Sequence, residues 1–407
     1  MTSWPFAVLM RRIGVVGDGL SGLSAALTIA QFGIEAVVFT IKEPLGGRAG
    51  PISTDQNDWL FDQTPISWIR QGELDQVLRR MKVPMPTRRI PISRMAIVRN
   101  DSRFTLPGRE NFGMKITGPL APEWPDVIRS ARKGELGELT ELVNDAVTFL
   151  GLLTHLDPAR LNPQTLAQSV INMAWKDMPR VPLDGWVGAS GRLLSATRLT
   201  DISIEADGPV TGLRTNQEGV VDGIRRKGRV YPVDGVVLAC PMKAKHRILE
   251  SSGIDVSDWP QVSDRTVHIR WLGLSGCYMR PHYALWDADR EVLAIDYGAH
   301  APERVPSEIA DAASLIHCIA YGDSEDASER IESFMDAQCA GWKSAIRFDQ
   351  SNPAMRLSDA DVLSNIPFDI FASSGIYLSG AGVTGDGPPG DEAISTGIRA
   401  GRAISQS

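Results

Sequence analysis

The sequence predicts an α/β protein: a Rossmann-like nucleotide-binding domain on a parallel sheet, joined to a discontinuous α+β domain. Three observations carry that reading. First, residues 12–39 read as strand, glycine turn, helix and strand. Arg12–Val16 is apolar, Gly17-Asp18-Gly19-Leu20-Ser21-Gly22 is the turn, and Leu23, Leu27 and Ala30 continue a helical face from Leu20 until Gly33 closes it. Second, strands punctuated by glycine return at 185–260 and 365–407, after long stretches without that rhythm. Third, a chain of 407 residues, 43% hydrophobic and 22% charged, is long enough for two ordinary cores or one large one with an insertion.

The totals narrow the function classes. A net charge of -7 with no long run of Lys and Arg argues against a nucleic-acid binder. Cys240, Cys277, Cys318 and Cys339 are scattered without a C-x-x-C pair, which points to reduced thiols and away from zinc. Met1 to Met10 is apolar, but Arg11-Arg12 follows the apolar part, the reverse of a signal peptide. No segment reaches transmembrane length. The expectation is a cytoplasmic protein with a small-molecule substrate and no membrane insertion, a homodimer being open.

In the opening unit each glycine has a task. Gly17 allows the tight turn, Gly19 lets backbone approach a pyrophosphate, and Gly22 lets helix and strand pack closely. The N–H groups at Leu20 and Ser21 start a helix whose dipole favours phosphate. Ala36–Phe39 is the second strand. At its tip an acid is expected to bind a ribose hydroxyl, and Thr40 stands there instead, with Lys42 two residues on. A neutral tip beside a cation also suits a 2′-phosphate, so an NADP-binding protein is an alternative at this point.

Leu45-Gly46-Gly47-Arg48-Ala49-Gly50 follows directly, and Phe61-Asp62 a little later. This double glycine with arginine resembles the GGR segment of the flavin-containing amine oxidase and phytoene desaturase superfamily. The resemblance implies FAD, with the segment passing beside its diphosphate and isoalloxazine. Gly46 and Gly47 permit close approach, and Arg48 supplies a permanent cation.

From Asp62 to Arg180 the βαβ pattern stops. Trp59, Trp68, Trp124 and Trp175 recur, and a long amphipathic helix is expected over 135–156. Asn162-Pro163 opens another, as cap and first helical residue. A mainly helical substrate or cap segment is expected here. Gly185 to Gly191, the helix after it and the strand Ile202–Ile204 resemble a further stretch of the superfamily. There a valine just beyond clamps the adenine of FAD, and the matching residue is Val210. An antiparallel excursion over Val220-Val221 and Arg229–Tyr231 precedes the buried strand Val236–Leu238, ended by Pro241. Residues 261–364 read as strands at Val267–Leu272 and Val292–Ile295 and a helix over Ser324–Gly341, capped by Ser324.

The C-terminal segment resembles the closing FAD motif of the superfamily. Gly375–Gly380 is a strand running into glycine, Ala381 to Asp391 a loop, and Glu392, Ala393 and Ile394 begin the last helix. The resemblance points that helix at flavin N1 and the C2 carbonyl. Gly397 and Gly401 are expected to pack on the sheet. The acid that binds the ribityl chain is absent, since spacing puts Ala381 there, and Asp386 and Asp391 in the loop are candidates to substitute, which leaves open contacts from Thr40 and these loop acids in place of the missing ones. With both acids missing, at about 1.5–3 kcal/mol for each charge-assisted bond, FAD binding weaker than the superfamily norm is expected.

The domain assignment is 10–61, 185–260 and 365–407 for FAD, and 62–184 and 261–364 for substrate. The resemblance implies hydride transfer from a small, partly apolar molecule to flavin N5, as an oxidase, dehydrogenase or desaturase. Many amine oxidases of the superfamily carry a lysine near N5. Val267–Leu272 offers only His268 and Arg270, which lowers a classical amine oxidase. His268 reads as a satisfied strand histidine and His246 as a surface residue beside Lys243 and Lys245, so no catalytic residue is assigned. A degenerate flavoprotein acting without net redox chemistry, as an isomerase or binding protein, is the third reading.

Overall fold

The computed structural model describes residues 11–52, 59–63, 67–107, 119–176, 178–259, 265–322, 325–358, 366–380, 382–383 and 388–407. The chain forms two compact units, one of 1–50, 189–263 and 359–407, the other of 51–188 and 264–358.

The first leg supplies β1 (Arg12–Val16), α1 (Leu20–Gln31) and β2 (Glu35–Thr40) to the first unit. The second leg supplies β3 (Trp68–Ile69), α2 (Glu73–Arg80), β4 (Thr87–Arg89), β5 (Met95–Arg99) and β6 (Ser102–Thr105) to the second unit. Helices α3 (Trp124–Ala131), α4 (Glu141–His155) and α5 (Pro163–Val170) and strand β7 (Pro179–Pro182) complete that leg. Helix α6 (Gly185–Thr197) carries the chain back. The first unit then adds β8 (Ile202–Ala206), β9 (Val210–Thr215), β10 (Val221–Arg226), β11 (Arg229–Pro232), β12 (Val236–Leu238) and α7 (Met242–Glu250). The second unit gains β13 (Arg265–Leu274), β14 (Ala284–Asp287), β15 (Val292–Asp296), β16 (Ser314–Ala320), α8 (Ala327–Gln338) and β17 (Ile346–Ser358). Strand β18 (Ile376–Leu378) and helix α9 (Pro389–Gln406) end the chain in the first unit.

The first unit is a five-stranded parallel sheet, ordered β18-β12-β1-β2-β8, with the antiparallel sheet β11-β10-β9 beside it. Strand alternation divides its core in two. Val37 and Phe39 join Val210, Leu213 and Ile224 on one face, while Ala36 and Val38 pack with α1 and α9 on the other. Gly33 ends α1 at φ 72°, its N–H on Ala30 O at 3.0 Å, the left-handed close that its sequence position predicts.

The second unit holds a seven-stranded mixed sheet, β17-β13-β16-β15-β14-β5-β6, and the small sheet β3-β7-β4. Among its described residues, the segment expected to be mainly helical therefore contributes five strands as well as four helices. The short pieces between its prolines pair as strands. The helix expected over 135–156 starts at Glu141, because Glu135 to Thr140 holds a glycine and no cap that would begin it earlier. Asn162 caps α5 as expected, its side chain accepting from Thr165 N at 2.8 Å. The helix expected to be capped by Ser324 is α8, which begins at Ala327 after Asp326. Ser324 itself lies outside the described residues.

Two glycine readings change. Gly185 to Gly191 does not precede a helix but forms its first two turns. Gly397 and Gly401 face α1 rather than the sheet. A Cβ on Gly397 would lie 2.1 Å from Ser24 Oγ and 2.3 Å from Ser21 O, and one on Gly401 2.7 Å from Ala25 O. Small residues four apart form one groove on a helix, and another helix fits that groove more closely than a pleated sheet does.

Candidate cofactor site

The carboxyl edge of the parallel sheet is where an open α/β fold binds its ligand, and the sequence-selected glycines gather along it. Gly17 donates to Phe39 O at 2.9 Å, Ala239 to Val16 O at 2.9 Å, and Ser379 to Leu238 O at 3.0 Å. Gly17 has φ 118°, and a Cβ there would lie 2.8 Å from Ala239 O. A Cβ on Gly22 would lie 1.9 Å from Gly17 O. These two glycines are required by the fold itself. At Gly19, by contrast, an added Cβ meets nothing within 4 Å. The space over Gly19 is open, at an N-cap with no capping side chain. Uncapped N–H donors, open space and no acid in the first turn of α1 fit a phosphate-bearing ligand.

The GGR segment closes on the same turn. Asp18 accepts from Gly46 N at 2.8 Å, and a Cβ on Gly47 would lie 3.0 Å from Gly19 Cα. Gly46 and Gly47 have φ 113° and 55°, which glycine alone adopts at little cost. Ser190 Oγ of α6 donates to Ala49 O at 2.9 Å, fixing the loop from behind. Arg48 is exposed.

Helices α1 and α9 lie side by side in the same direction, since Gly397 faces Ser21 and Ser24 while Gly401 faces Ala25 and Thr28. Pro389 precedes Gly397 by eight residues, whereas Leu20 precedes Ser21 by one and Ser24 by four; α9 therefore overhangs α1 by four to seven residues, about 6–10 Å. The N-cap residue of α9, Pro388, likewise gives no side-chain cap bond. Two helix starts without a side-chain bond from the N-cap residue thus stand in one unit, offset along a common direction. Ser21 Oγ donates to Ser379 Oγ at 2.7 Å, and Gly380, at φ 84°, donates to Thr396 Oγ1 at 2.9 Å. Gly380, Ala393 and Ile394 accordingly lie with the opening turn, Ile394 O being 3.4 Å from Ser24 Oγ. Asp391 and Glu392 fall in the first turn of α9, not in a loop, and their charge opposes the dipole at that end. Asp386 and Ala381 lie outside the described residues.

At the tip of β2, Thr40 is buried and no acid occupies the position. What sequence reasoning missed is Arg226 of β10. Its guanidinium is fully buried and donates from Nη2 to Thr40 O (2.7 Å), from Nη1 to Glu205 O (3.0 Å) and from Nε to Gly208 O (2.9 Å). The arginine sits opposite Val210 in the β9–β10 ladder. An arginine ending a surface-looking hairpin carries no local signal of this.

The remaining candidates fall elsewhere. His246 lies 3.3 Å from Glu250 on α7, and Lys245, expected beside it on the surface, is fully buried. In the second unit, Asp62 pairs with Arg304 at 2.7 Å, both side chains buried, and accepts from Trp186 N at 2.6 Å. His268 is not the satisfied strand histidine expected: it is buried with Nε2 unpartnered, and burial, then Arg270, pushes its pKa down. No lysine occurs in β13. His317 of β16, unremarked in the sequence, is fully buried between Phe61 and Tyr297 with neither nitrogen hydrogen-bonded. Among the described residues no group of His, Cys, Asp and Glu could hold a metal ion.

Burial, then the Arg304 charge, holds the His317 imidazole well below its ordinary value of 6.5. Burial takes His155 down to about 4. Below pH 6.5 the unfolded chain takes protons that these folded histidines refuse, so stability is full above that pH and falls as pH drops. Each such histidine contributes about 1.4 kcal/mol per pH unit. The urea midpoint is expected to decline from pH 6.5 towards 5, with a shallower slope in His317→Gln. An unchanged slope in that variant would remove His317 from the effect.

No family model matches the chain. A stretch of 56 residues is 38% identical to an L-amino acid oxidase of Cerastes cerastes, spanning 14% of this chain and 11% of that protein. Over nearly the whole length the structure is similar to solved oxidases. An oxidoreductase from Methanosarcina mazei superposes at TM-score 0.73 and 17% identity, over 95% of this chain and 99% of that one. Cyclohexylamine oxidase from Brevibacterium oxydans gives 0.64 and 12%, over 97% and 99%. No helix among the described residues is long and apolar enough to cross a membrane.

Proposed function

From the flavin amine oxidase-like fold of this chain, we propose that it is an FAD-dependent oxidoreductase acting on a small, partly apolar organic molecule. The observation that supports this above others is the pairing of α1 and α9, whose starts have no side-chain bond from the N-cap residue and are offset by about 6–10 Å in one unit. A single nucleotide site needs only the first. The overhanging second end has a use when the ligand's far group gains negative charge on reduction, as an isoalloxazine does and a nicotinamide, which loses its positive charge, does not.

When bound, FAD supplies the two-electron acceptor, taking hydride at N5. The chain's own part is to hold it. The Gly17–Gly22 turn and the start of α1 would hold the diphosphate on backbone N–H groups, with Gly46 and Gly47 allowing close approach. The start of α9 favours negative charge, which Asp391 and Glu392 partly cancel. Without a lysine in β13, the chemistry proceeds with no lysine-assisted step from that strand.

The test is direct. Protein equilibrated with FAD and desalted is expected to keep a flavin spectrum, and a member of a panel of small, partly apolar C–H donors, amines and non-amines alike, added without air is expected to bleach it. Bound flavin that no C–H donor bleaches would favour a non-redox role, and no bound flavin would end the reading. The missing acid at the β2 tip makes a further expectation. Thr40→Glu should tighten FAD binding about tenfold or more, one charge-assisted bond to the ribose, measured by quenching of flavin fluorescence. An unchanged Kd would mean the ribose is already satisfied by other groups.

A further inference from the structure

We propose that Arg226 is the positioning residue of the adenosine end of the dinucleotide site, and sets the preference for FAD over a mononucleotide. The inference rests on the cofactor reading above. Its ground is which carbonyls the guanidinium joins. Thr40 O ends β2, Glu205 O lies near the end of β8, and Gly208 O lies in the turn before β9. Thr40 is where a ribose acid would stand, and Val210, directly across the ladder from Arg226, is the residue resembling the adenine clamp. One side chain therefore fixes the spacing of both adenosine elements.

Gly208 doubles the tie, since its N–H donates to Ile41 O at 2.8 Å while its carbonyl takes Arg226 Nε. Phe39 lies under the guanidinium, with the Arg226 Cζ 5.8 Å from the ring centroid. A fully buried cation satisfied by three main-chain carbonyls is an expensive arrangement where an apolar residue would pack. Its return is geometric. A planar fork holds three acceptors at fixed angles, which neither lysine nor an aliphatic chain reproduces. It also draws the lone pairs of these strand-end carbonyls away from the edge where ribose oxygens would meet them. Where an acid would grip the ribose directly, this chain fixes the subsite from behind.

The test compares wild type with Arg226→Lys, which keeps the charge and loses the fork, and with Arg226→Met. Flavin fluorescence quenching gives Kd for FAD and for FMN, which lacks the adenosine, and urea unfolding of the apoprotein gives stability. Positioning predicts FAD affinity down about tenfold or more in Arg226→Lys with FMN affinity unchanged, while the carbonyls left unpaired lower the apoprotein midpoint. FAD affinity that holds, or that falls in step with FMN, would falsify the assignment. Arg226→Met is expected to lose more FAD affinity than Arg226→Lys, and the reverse order would count against the fork. A wild-type protein that takes up no FAD overturns the cofactor reading and this inference with it.

Discussion

Gly397→Ala is expected to abolish retention of FAD on desalting and to lower the urea midpoint of the apoprotein, by the equivalent of about 1–3 kcal/mol. The added methyl would sit 2.3 Å from Ser21 O, main chain that cannot rotate away, and 2.1 Å from Ser24 Oγ. Helix α9 must slide or lift from α1 to make room. Movement of about an ångström, the gap between 2.3 Å and an ordinary contact at 3.4 Å, shifts the start of α9 relative to the Gly17–Gly22 turn, and the two ends then no longer suit one ligand. The control is Gly191→Ala in α6, where an added Cβ meets nothing within 4 Å. That change removes the backbone-entropy cost of glycine from a helix and should be neutral or stabilising by up to about 1 kcal/mol. Wild-type flavin uptake in Gly397→Ala would mean that the contact between these helices does not set the site.

Asp62→Ala is expected to destabilise the second unit by about 3–5 kcal/mol, the usual consequence of stranding one partner of a buried pair. The Arg304 guanidinium is fully buried, with Asp62 Oδ2 at 2.7 Å, Leu60 O at 2.9 Å and the Tyr297 ring at 4.3 Å. Without the carboxylate, a full charge remains in an apolar interior, and Trp186 N loses its acceptor as well. Removing both ions should be milder than removing one. Asp62→Ala with Arg304→Met is therefore expected to recover part of the loss, a coupling that a double-mutant cycle in urea measures. If the double variant is as unstable as the sum of the singles, the pair is not coupled and the loss lies in packing.

Much of the parallel sheet was legible because its signals are local. A glycine needing positive φ, an apolar run of strand length and a cap residue before proline each depend on neighbours a few positions away. Thus Gly17, Gly33 and Asn162 were read correctly from sequence alone. Misreadings arose where a short segment fits two partners. The strands of 67–182 are too brief and too broken by proline to declare themselves until they pair. The groove of Gly397 and Gly401 was recognisable as a packing face, but its occupant was not.

The amino-acid sequence by itself determined the order of the elements and the glycine turns along one sheet edge, since backbone conformation at those points follows from residue type. Only the tertiary structure decided which distant groups share a charge: Arg226 reaching Thr40 across 186 positions, and Arg304 reaching Asp62 across 242. Arginines whose charge is buried look, in a sequence, like arginines in water. The difference is made by the carbonyls and carboxylate that the folded chain brings to them, and no local pattern encodes that meeting.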